Sequence, residues 1–84
     1  MKELPEAALP RWVKELIVVA VEAALRLPWG GDSHARNAIK LGATAKQVNE
    51  AVATALFITG MSTYAAAGHL AVEAAEDEEK KSKK

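Results

Sequence analysis

Residues 14–44 have the sequence KELIVVAVEAALRLPWGGDSHARNAIKLGAT, and this stretch decides the fold. Its apolar first half is followed by a break from Leu27 to Gly31, because a proline disfavours helical geometry at the residue before it and a glycine pair loosens the chain after it. Asp32 or Ser33 can then cap a second helix that runs to about residue 41, where Gly42 is a suitable terminator. The stretch therefore predicts two helices separated by a short break.

Residues 11–26 are predicted to form the helix before this break. Its charged residues fall on one stripe, and nearly every other position is apolar. The stripe consists of Arg11, Glu15, Glu22 and Arg26. A helix that is apolar almost all round is buried on most of its sides. In so short a chain, we expect another subunit to supply part of that cover.

Two further helices are predicted downstream. Thr44-Ala45-Lys46-Gln47 matches a capping box and starts a third helix that runs to about Thr59. The apolar face of this helix contains Val48, Val52, Ala55 and Leu56. Gly60 ends it, and Ser62 or Thr63 can cap a fourth, alanine-rich helix. We therefore expect an all-α domain of about four to five helices in an oligomeric bundle.

The composition divides the chain into three parts. Residues 1–10 contain two prolines and are predicted to be a lead-in, with Pro10 at the first position of the first helix. Residues 11–76 form the helical domain. Residues 77–84 are predicted to be a charged, solvated tail, in which acids and bases spaced four apart can extend the last helix.

Charge and cysteine content exclude several classes of protein. The 84 residues include 11 basic and 11 acidic ones, without a basic stripe, so nucleic acid is not an expected partner. The absence of cysteine excludes disulfides, thiolate metal sites and thiol chemistry. The longest apolar run, Leu16 to Val21, is too short to cross a bilayer, and the polar start does not resemble a secretory signal. We expect a cytoplasmic protein with no membrane partner and no cofactor.

The proportion of apolar residues is high for a small domain. Half of the residues are hydrophobic, and many of these are alanines, which favour helices but add little buried volume. A monomer of this size buries only about 60% of the surface of its unfolded chain. We therefore expect apolar surface to be shared between subunits, in a homotrimer or a homohexamer.

Three segments follow the layout of a known family: Lys14-Glu15-Leu16-Ile17, Asp32-Ser33-His34 and Ala38-Ile39-Lys40-Leu41-Gly42-Ala43-Thr44. Over residues 11–75 the chain resembles the carboxymuconolactone decarboxylase and AhpD-like (alkylhydroperoxidase D-like) family. In that family a glutamate precedes a C-x-x-C pair and a histidine follows it, and their positions correspond to Glu15 and His34. The resemblance implies a helical domain. For members that keep the cysteines, it implies thiol peroxidase or disulfide reductase activity, with the glutamate and histidine relaying protons.

The chain departs from this family at the reacting atoms. The two cysteine positions fall on Leu27 and Gly30, neither of which has a nucleophile. The resemblance therefore implies a short-form member in which the motif is lost and Glu15 and His34 are a vestigial proton relay.

Each candidate site residue also has a structural interpretation. Glu15 is either a relay acid or a carboxylate hydrogen-bonded to His34 or to backbone amides near the second helix. His34 is expected in the first turn of that helix, where the dipole disfavours a charged ring. Trp29 lines a ligand pocket or packs in the core or in an interface. His69 could join Glu15 and His34 around a divalent metal, but three scattered residues are weak evidence and no metal site is predicted.

Two functions of different classes remain at this point. In the first, the chain is a catalytically inactive, self-assembling domain. It is then either a natural degenerate member or an engineered one whose thiols were removed, such as a component of a designed cage with a second designed protein. In the second, it is a thiol-independent enzyme that works through Glu15 and His34, as a decarboxylase would, and derives from a peroxidase or reductase ancestor.

Overall fold

The computed structural model describes residues 7–82, except for the side chain of Trp29, and this part of the chain is helical without strands. The elements are α1 (Arg11–Ala24), α2 (Pro28–Lys40), α3 (Ala45–Thr59), a π-helical turn (Tyr64–Gly68) and α4 (His69–Ser82). The all-α class predicted from the sequence is therefore confirmed. Residues 1–6 of the lead-in and the last two residues of the tail lie outside the described part.

The helices form a thin slab. α1 packs against α2 and α3, α4 packs against α2, and the π-helical turn packs against α1. The molecule measures 36 × 34 × 19 Å, and its smallest dimension is about two helix diameters. None of the described helices combines the length and the apolar composition that crossing a bilayer requires.

Small side chains fill the core. The buried apolar residues are mostly alanines and valines, and Val19, Val48 and Val52 are its largest fully buried apolar side chains. Several apolar side chains of α1, of α3 and of the residues just after them are exposed, although Trp12 and Leu16 pack against the core. These exposed residues are Ile17, Val21, Leu25, Phe57, Ile58 and Met61.

The charged stripe of α1 does not face solvent along its length. Glu15 is 2% exposed, whereas Ile17, Val21 and Leu25 are between 47% and 63% exposed. The physical reason is that the side of α1 carrying Glu15 is the side that meets α2. Inside this chain, the apolar side of α1 is therefore only partly covered.

The break after α1 is shorter than the sequence predicts. α1 ends at Ala24, and Arg26 takes a left-handed conformation with φ 59°. α2 then begins at Pro28, so that Gly30 and Gly31 are helical and no side chain caps the helix. The expected caps at Asp32 or Ser33 were wrong, because a proline at the first helical position needs no N–H partner and already has helical φ.

α1 starts at Arg11 as the predicted range 11–26 requires, but Pro10 does not occupy the first helical position. Pro10 is the residue before the helix, with extended geometry (φ −60°, ψ 155°), and α1 begins at Arg11. The carbonyl of Pro10 accepts the first helical hydrogen bonds, from the N–H groups of Val13 and Lys14.

The boundaries of α3 agree with the sequence. The Gln47 N–H donates to Thr44 Oγ1 at 3.1 Å, and the Thr44 N–H donates to Gln47 Oε1 at 2.9 Å, which confirms the capping box. The helix ends at Thr59, and Gly60 follows with φ 84°, a conformation that favours glycine. The capping prediction succeeded because both partners lie within four residues.

The start of the last helix was predicted wrongly. Ser62 and Thr63 are already helical, and Thr63 is fully buried with its hydroxyl hydrogen-bonded to that of Thr59, so it does not cap a helix. The π-helical turn then runs directly into α4. Gly68 lets this turn approach α3, because a Cβ there would lie 2.7 Å from Val52 Cγ1.

The charged end of the chain is more structured than a solvated tail. α4 continues past residue 76 to Ser82, with an i,i+4 ion pair between Asp77 and Lys81 at 3.2 Å. Glu79 accepts a hydrogen bond from the Ala45 N–H at the start of α3 at 2.9 Å. The i,i+4 extension of the last helix expected from the sequence is therefore present, and Glu79 in addition contacts the start of α3.

Candidate functional site

Glu15 of α1 and His34 of α2 are in direct contact. His34 Nδ1 lies 3.0 Å from Glu15 Oε2 and 3.2 Å from Oε1. A carboxylate only accepts hydrogen bonds, so this geometry places the ring proton on Nδ1, from where it donates to Glu15. Of the interpretations left open for Glu15, the structure shows the hydrogen bond to His34.

The two partners differ in their contact with water. The Glu15 side chain is 3% exposed, whereas that of His34 is 32% exposed. His34 is the seventh residue of α2 and not in its first turn, because the helix begins at Pro28. The expected position of His34 in the first turn was therefore wrong.

The former cysteine positions precede His34 by seven residues at Leu27 and by four residues at Gly30. Leu27 is the extended residue that precedes α2, with φ −102° and ψ 102°, and Gly30 is in the first turn. Neither residue supplies a nucleophile. Glu15 and His34 therefore lack the attacking sulfur atom that the family's two cysteine positions would provide.

Glu22 occupies the space that a side chain at position 30 would need. A Cβ added to Gly30 would lie 1.9 Å from Glu22 Oε2. Glu22 Oε1 is buried and, within residues 7–82, has no hydrogen-bond partner. The carboxylate therefore lies where the second thiol of the redox pattern would begin.

Sequence reasoning missed this role of Glu22. The signal that could have found it is the spacing of seven between Glu15 and Glu22, which puts both on one side of a helix. Once Glu15 is assigned to the α1–α2 contact, Glu22 follows two turns later on the same side.

Arg26 fixes the end of α1 against the end of α3. Its guanidinium donates to the carbonyl of Thr59 at 3.4 Å and to the hydroxyl of Ser62. The left-handed backbone at Arg26 lets the Leu27 N–H donate to the carbonyl of Glu22 at 2.9 Å. Arg26 therefore closes α1 and joins it to the end of α3.

The opposite side of α2 carries an exposed ion cluster. Arg36 donates to Asp32 at 2.8 Å, to Asp77 at 2.8 Å and to Glu78 at 3.3 Å. Hydrogen bonding to Asp32, and then to Asp77, raises the pKa of Arg36. Hydrogen bonding to Arg36, and then to Lys81, lowers the pKa of Asp77. The cluster joins α4 to α2 and does not involve the side of α2 that contacts Glu15.

The remaining sequence candidates lie apart from this site. His69 Nδ1 lies 3.1 Å from Glu73 Oε2 and its ring is tilted against that of Tyr64, so it does not join Glu15 and His34. Within residues 7–82, no three His, Asp or Glu side chains converge as metal ligands. The pocket expected at Trp29 concerns a side chain outside the described part.

Glu15 and His34 can exchange a proton with a bound molecule, but the chain contains no thiol that could act as the nucleophile. Comparison with family models finds a match to the carboxymuconolactone decarboxylase family over residues 1–73. Neither the curated proteins nor the solved structures give a match. The matched region includes Glu15, Glu22, Gly30 and His34. The chain belongs to the carboxymuconolactone decarboxylase family.

Proposed function

We propose that this chain is a catalytically inactive member of its family that self-assembles into a homotrimer or homohexamer. One observation carries the proposal: the buried core is mostly alanine and valine, while a group of large apolar side chains at and just after the end of α3 is exposed. Phe57 and Ile58 are each 89% exposed and Met61 is 70% exposed. Soluble monomers rarely expose large apolar side chains in a group, and such groups mark contact surfaces.

The energetics favour association at these positions. Burying one large apolar side chain stabilises by about 1.5–3 kcal/mol relative to leaving it in water. The molecule is only 19 Å thick, so it has little room for a further layer of its own helices over these side chains. Another molecule therefore has to cover them. A second subunit that covers the exposed apolar side of α1 would add to the free energy gained on association.

Light scattering tests the assembly. The expected mass is three or six times the 8.9 kDa of the chain at micromolar concentration. A single species at 8.9 kDa would contradict the proposal. A species of two or four chains would contradict the predicted stoichiometry.

The loss of thiol chemistry is tested with an organic hydroperoxide and a dithiol reductant. Turnover by the wild type is expected to equal the buffer blank, and turnover above it would refute inactivity. The informative variant is Leu27→Cys/Gly30→Cys with and without Glu22→Ala. Because a Cβ at position 30 would lie 1.9 Å from Glu22 Oε2, the flexible Glu22 side chain has to turn away in this variant, and activity above the blank is expected both with and without Glu22→Ala.

The narrower form of the proposal is that the chain is an engineered, cytoplasmically expressed cage component that also binds a second designed protein. The replacement of both thiol positions and the exposed apolar side chains support it. A surface that binds a second protein stays uncovered in the homo-oligomer alone. The homo-oligomer is therefore expected to bind an apolar dye. An oligomer that binds no such dye would contradict this narrower form.

A thiol-independent enzyme is the second candidate, and the buried carboxylate hydrogen-bonded to a partly exposed histidine favours it. Such a pair can accept and return a proton at the ring. The assay is loss of carboxymuconolactone with release of carbon dioxide, with His34→Gln as the matched variant. Turnover that His34→Gln abolishes would establish the enzyme and replace the first proposal.

A further inference from the structure

We propose that the end of α3 is where copies of this chain meet around a rotation axis. The surface consists of Phe57, Ile58 and Met61 and is called the α3 end patch. The inference rests on the proposed function, because it names the surface through which the oligomer forms. The partner it commits to is a second copy of this chain.

The first argument is that the most exposed residues of the patch are held by a helix. Phe57 and Ile58 lie within α3, two and one residues before its last residue, Thr59. Both are 89% exposed, and helical geometry fixes the direction of their Cα–Cβ bonds. They cannot turn inward by a local loop movement, so only an outside surface can cover them.

The second argument is a change of chemistry along the outward side of α3. In the first half of the helix, that side carries the exposed residues Lys46, Asn49 and Glu50, as a solvated face does. In the second half, Phe57 and Ile58 take the corresponding outward positions. One helix side that is polar at its start and apolar at its end indicates water at one end and a contact at the other.

The third argument concerns charge, and it selects a second copy over a different protein. Residues 51–72 contain no Asp, Glu, Lys or Arg, and the guanidinium of Arg26, which reaches this end of the molecule, is engaged by the Thr59 carbonyl and the Ser62 hydroxyl. Around a rotation axis every subunit presents the same residues, so a charge near the axis meets its own image and repels it. A patch for a foreign partner has no such restriction, because the partner can supply the opposite charge.

The fourth argument is area. The three side chains expose roughly 400 Å² of apolar surface, and a stable interface buries about 800 Å² on each partner. Arg26 brings the end of α1 to the same end of the molecule by its contact with Ser62, which adds Leu25, 63% exposed. The α3 end patch is then the centre of the interface and the apolar side of α1 its continuation.

Single cysteines test the axis directly, because the chain contains no other thiol. The variants are Phe57→Cys, Ile58→Cys and Met61→Cys, each oxidised mildly and separated on a non-reducing gel. A disulfide needs Cα atoms about 4.4–6.8 Å apart, a distance that only residues close to the axis reach with their own copies. At least one variant is expected to form linked pairs ten times faster than the control.

The control is Leu41→Cys, at another exposed apolar residue. Leu41 is 38% exposed and lies just before α3, about 20 Å from the patch along the helix. Equal linking rates in the control and in all three patch variants would overturn the inference while leaving the proposed oligomer in place. A wild type that scatters as a monomer would overturn the proposed function and the inference together.

A polar double variant provides the second readout. Phe57→Ser/Ile58→Ser is expected to keep the helical circular dichroism of the wild type, because both side chains are exposed, and to lower the scattered mass. Leu41→Ser is expected to retain the wild-type mass. A folded double variant with the full oligomer mass would show that copies meet elsewhere.

Discussion

On the side of α2 that faces α1, His34 meets a carboxylate that is 2% exposed, whereas on the side that faces α4, Arg36 meets Asp32 and Asp77 in contact with solvent. Both sides join two helices through opposite charge or hydrogen bonding. Burial removes water as a competitor, so the loss of one partner is costly on the first side. Solvent and salt screen the second side, where ion pairs contribute little each.

The buried side itself contains two unlike carboxylates. Glu15 has His34 as a hydrogen-bond donor, while the buried oxygen of Glu22 faces Gly30 without a donor. We therefore expect Glu15 to stabilise the α1–α2 contact and Glu22 to destabilise it slightly. Four substitutions test the differences between the two sides of α2 and between Glu15 and Glu22. Free energies of unfolding should be compared at one protein concentration, because assembly contributes to them.

Glu15→Ala is expected to have the largest effect. It removes a buried side chain and leaves a cavity beside His34, which should lower the free energy of unfolding by about 2–4 kcal/mol. Urea denaturation measures the change. Glu15→Gln is the control, because its amide oxygen can still accept from Nδ1 and the volume is kept. Equal losses for both variants would mean that the charge of Glu15, not its size and bond, is required.

Glu22→Met is expected to act in the opposite direction. The substitution keeps the length of the side chain and removes a buried oxygen without a partner, so the free energy of unfolding should rise by about 1 kcal/mol. Thermal denaturation at fixed concentration gives the sign. A clear loss of stability would show that Glu22 has a donor in solution.

Gly30→Ala is expected to raise the free energy of unfolding by about 0.5 kcal/mol, because alanine favours the helix. The atoms that its Cβ meets belong to the flexible end of Glu22, which can turn towards water. Gly68→Ala is the matched comparison, since its Cβ meets the stiff, buried Val52, and it should cost about 1–3 kcal/mol. Similar outcomes for the two glycines would contradict the assignment of Glu22 as movable.

Asp77→Asn on the exposed side is expected to have the smallest effect. The folded pKa of Asp77 lies below its unfolded value because of Arg36, so its contribution is present above the unfolded pKa and is lost as pH falls through the folded pKa. The urea midpoint of the variant should lie slightly below that of the wild type at neutral pH, and the two should converge in acid. A difference that persists in acid and in high salt would exclude this electrostatic origin.

Local patterns predicted the elements whose causes are local. The capping box at Thr44, the glycine after Thr59 and the apolar face around Val48 and Val52 depend on residues within one or two turns, and the structure has them where expected. The breaks were less accurate. Proline at position 28 starts α2 immediately, and Thr63 turns its hydroxyl to Thr59 inside the protein instead of capping a helix.

Residue identity and spacing are enough to establish the helical class, the family layout with Glu15 and His34 in place, and the absence of any thiol at Leu27 and Gly30. Which side of α1 turns inward, that Glu22 lies over Gly30, and that Arg36 reaches Asp77 from 41 positions away are visible only once the helices are packed together. Such contacts depend on how helices approach each other, and helical periodicity gives the faces of each helix without saying which face meets which neighbour.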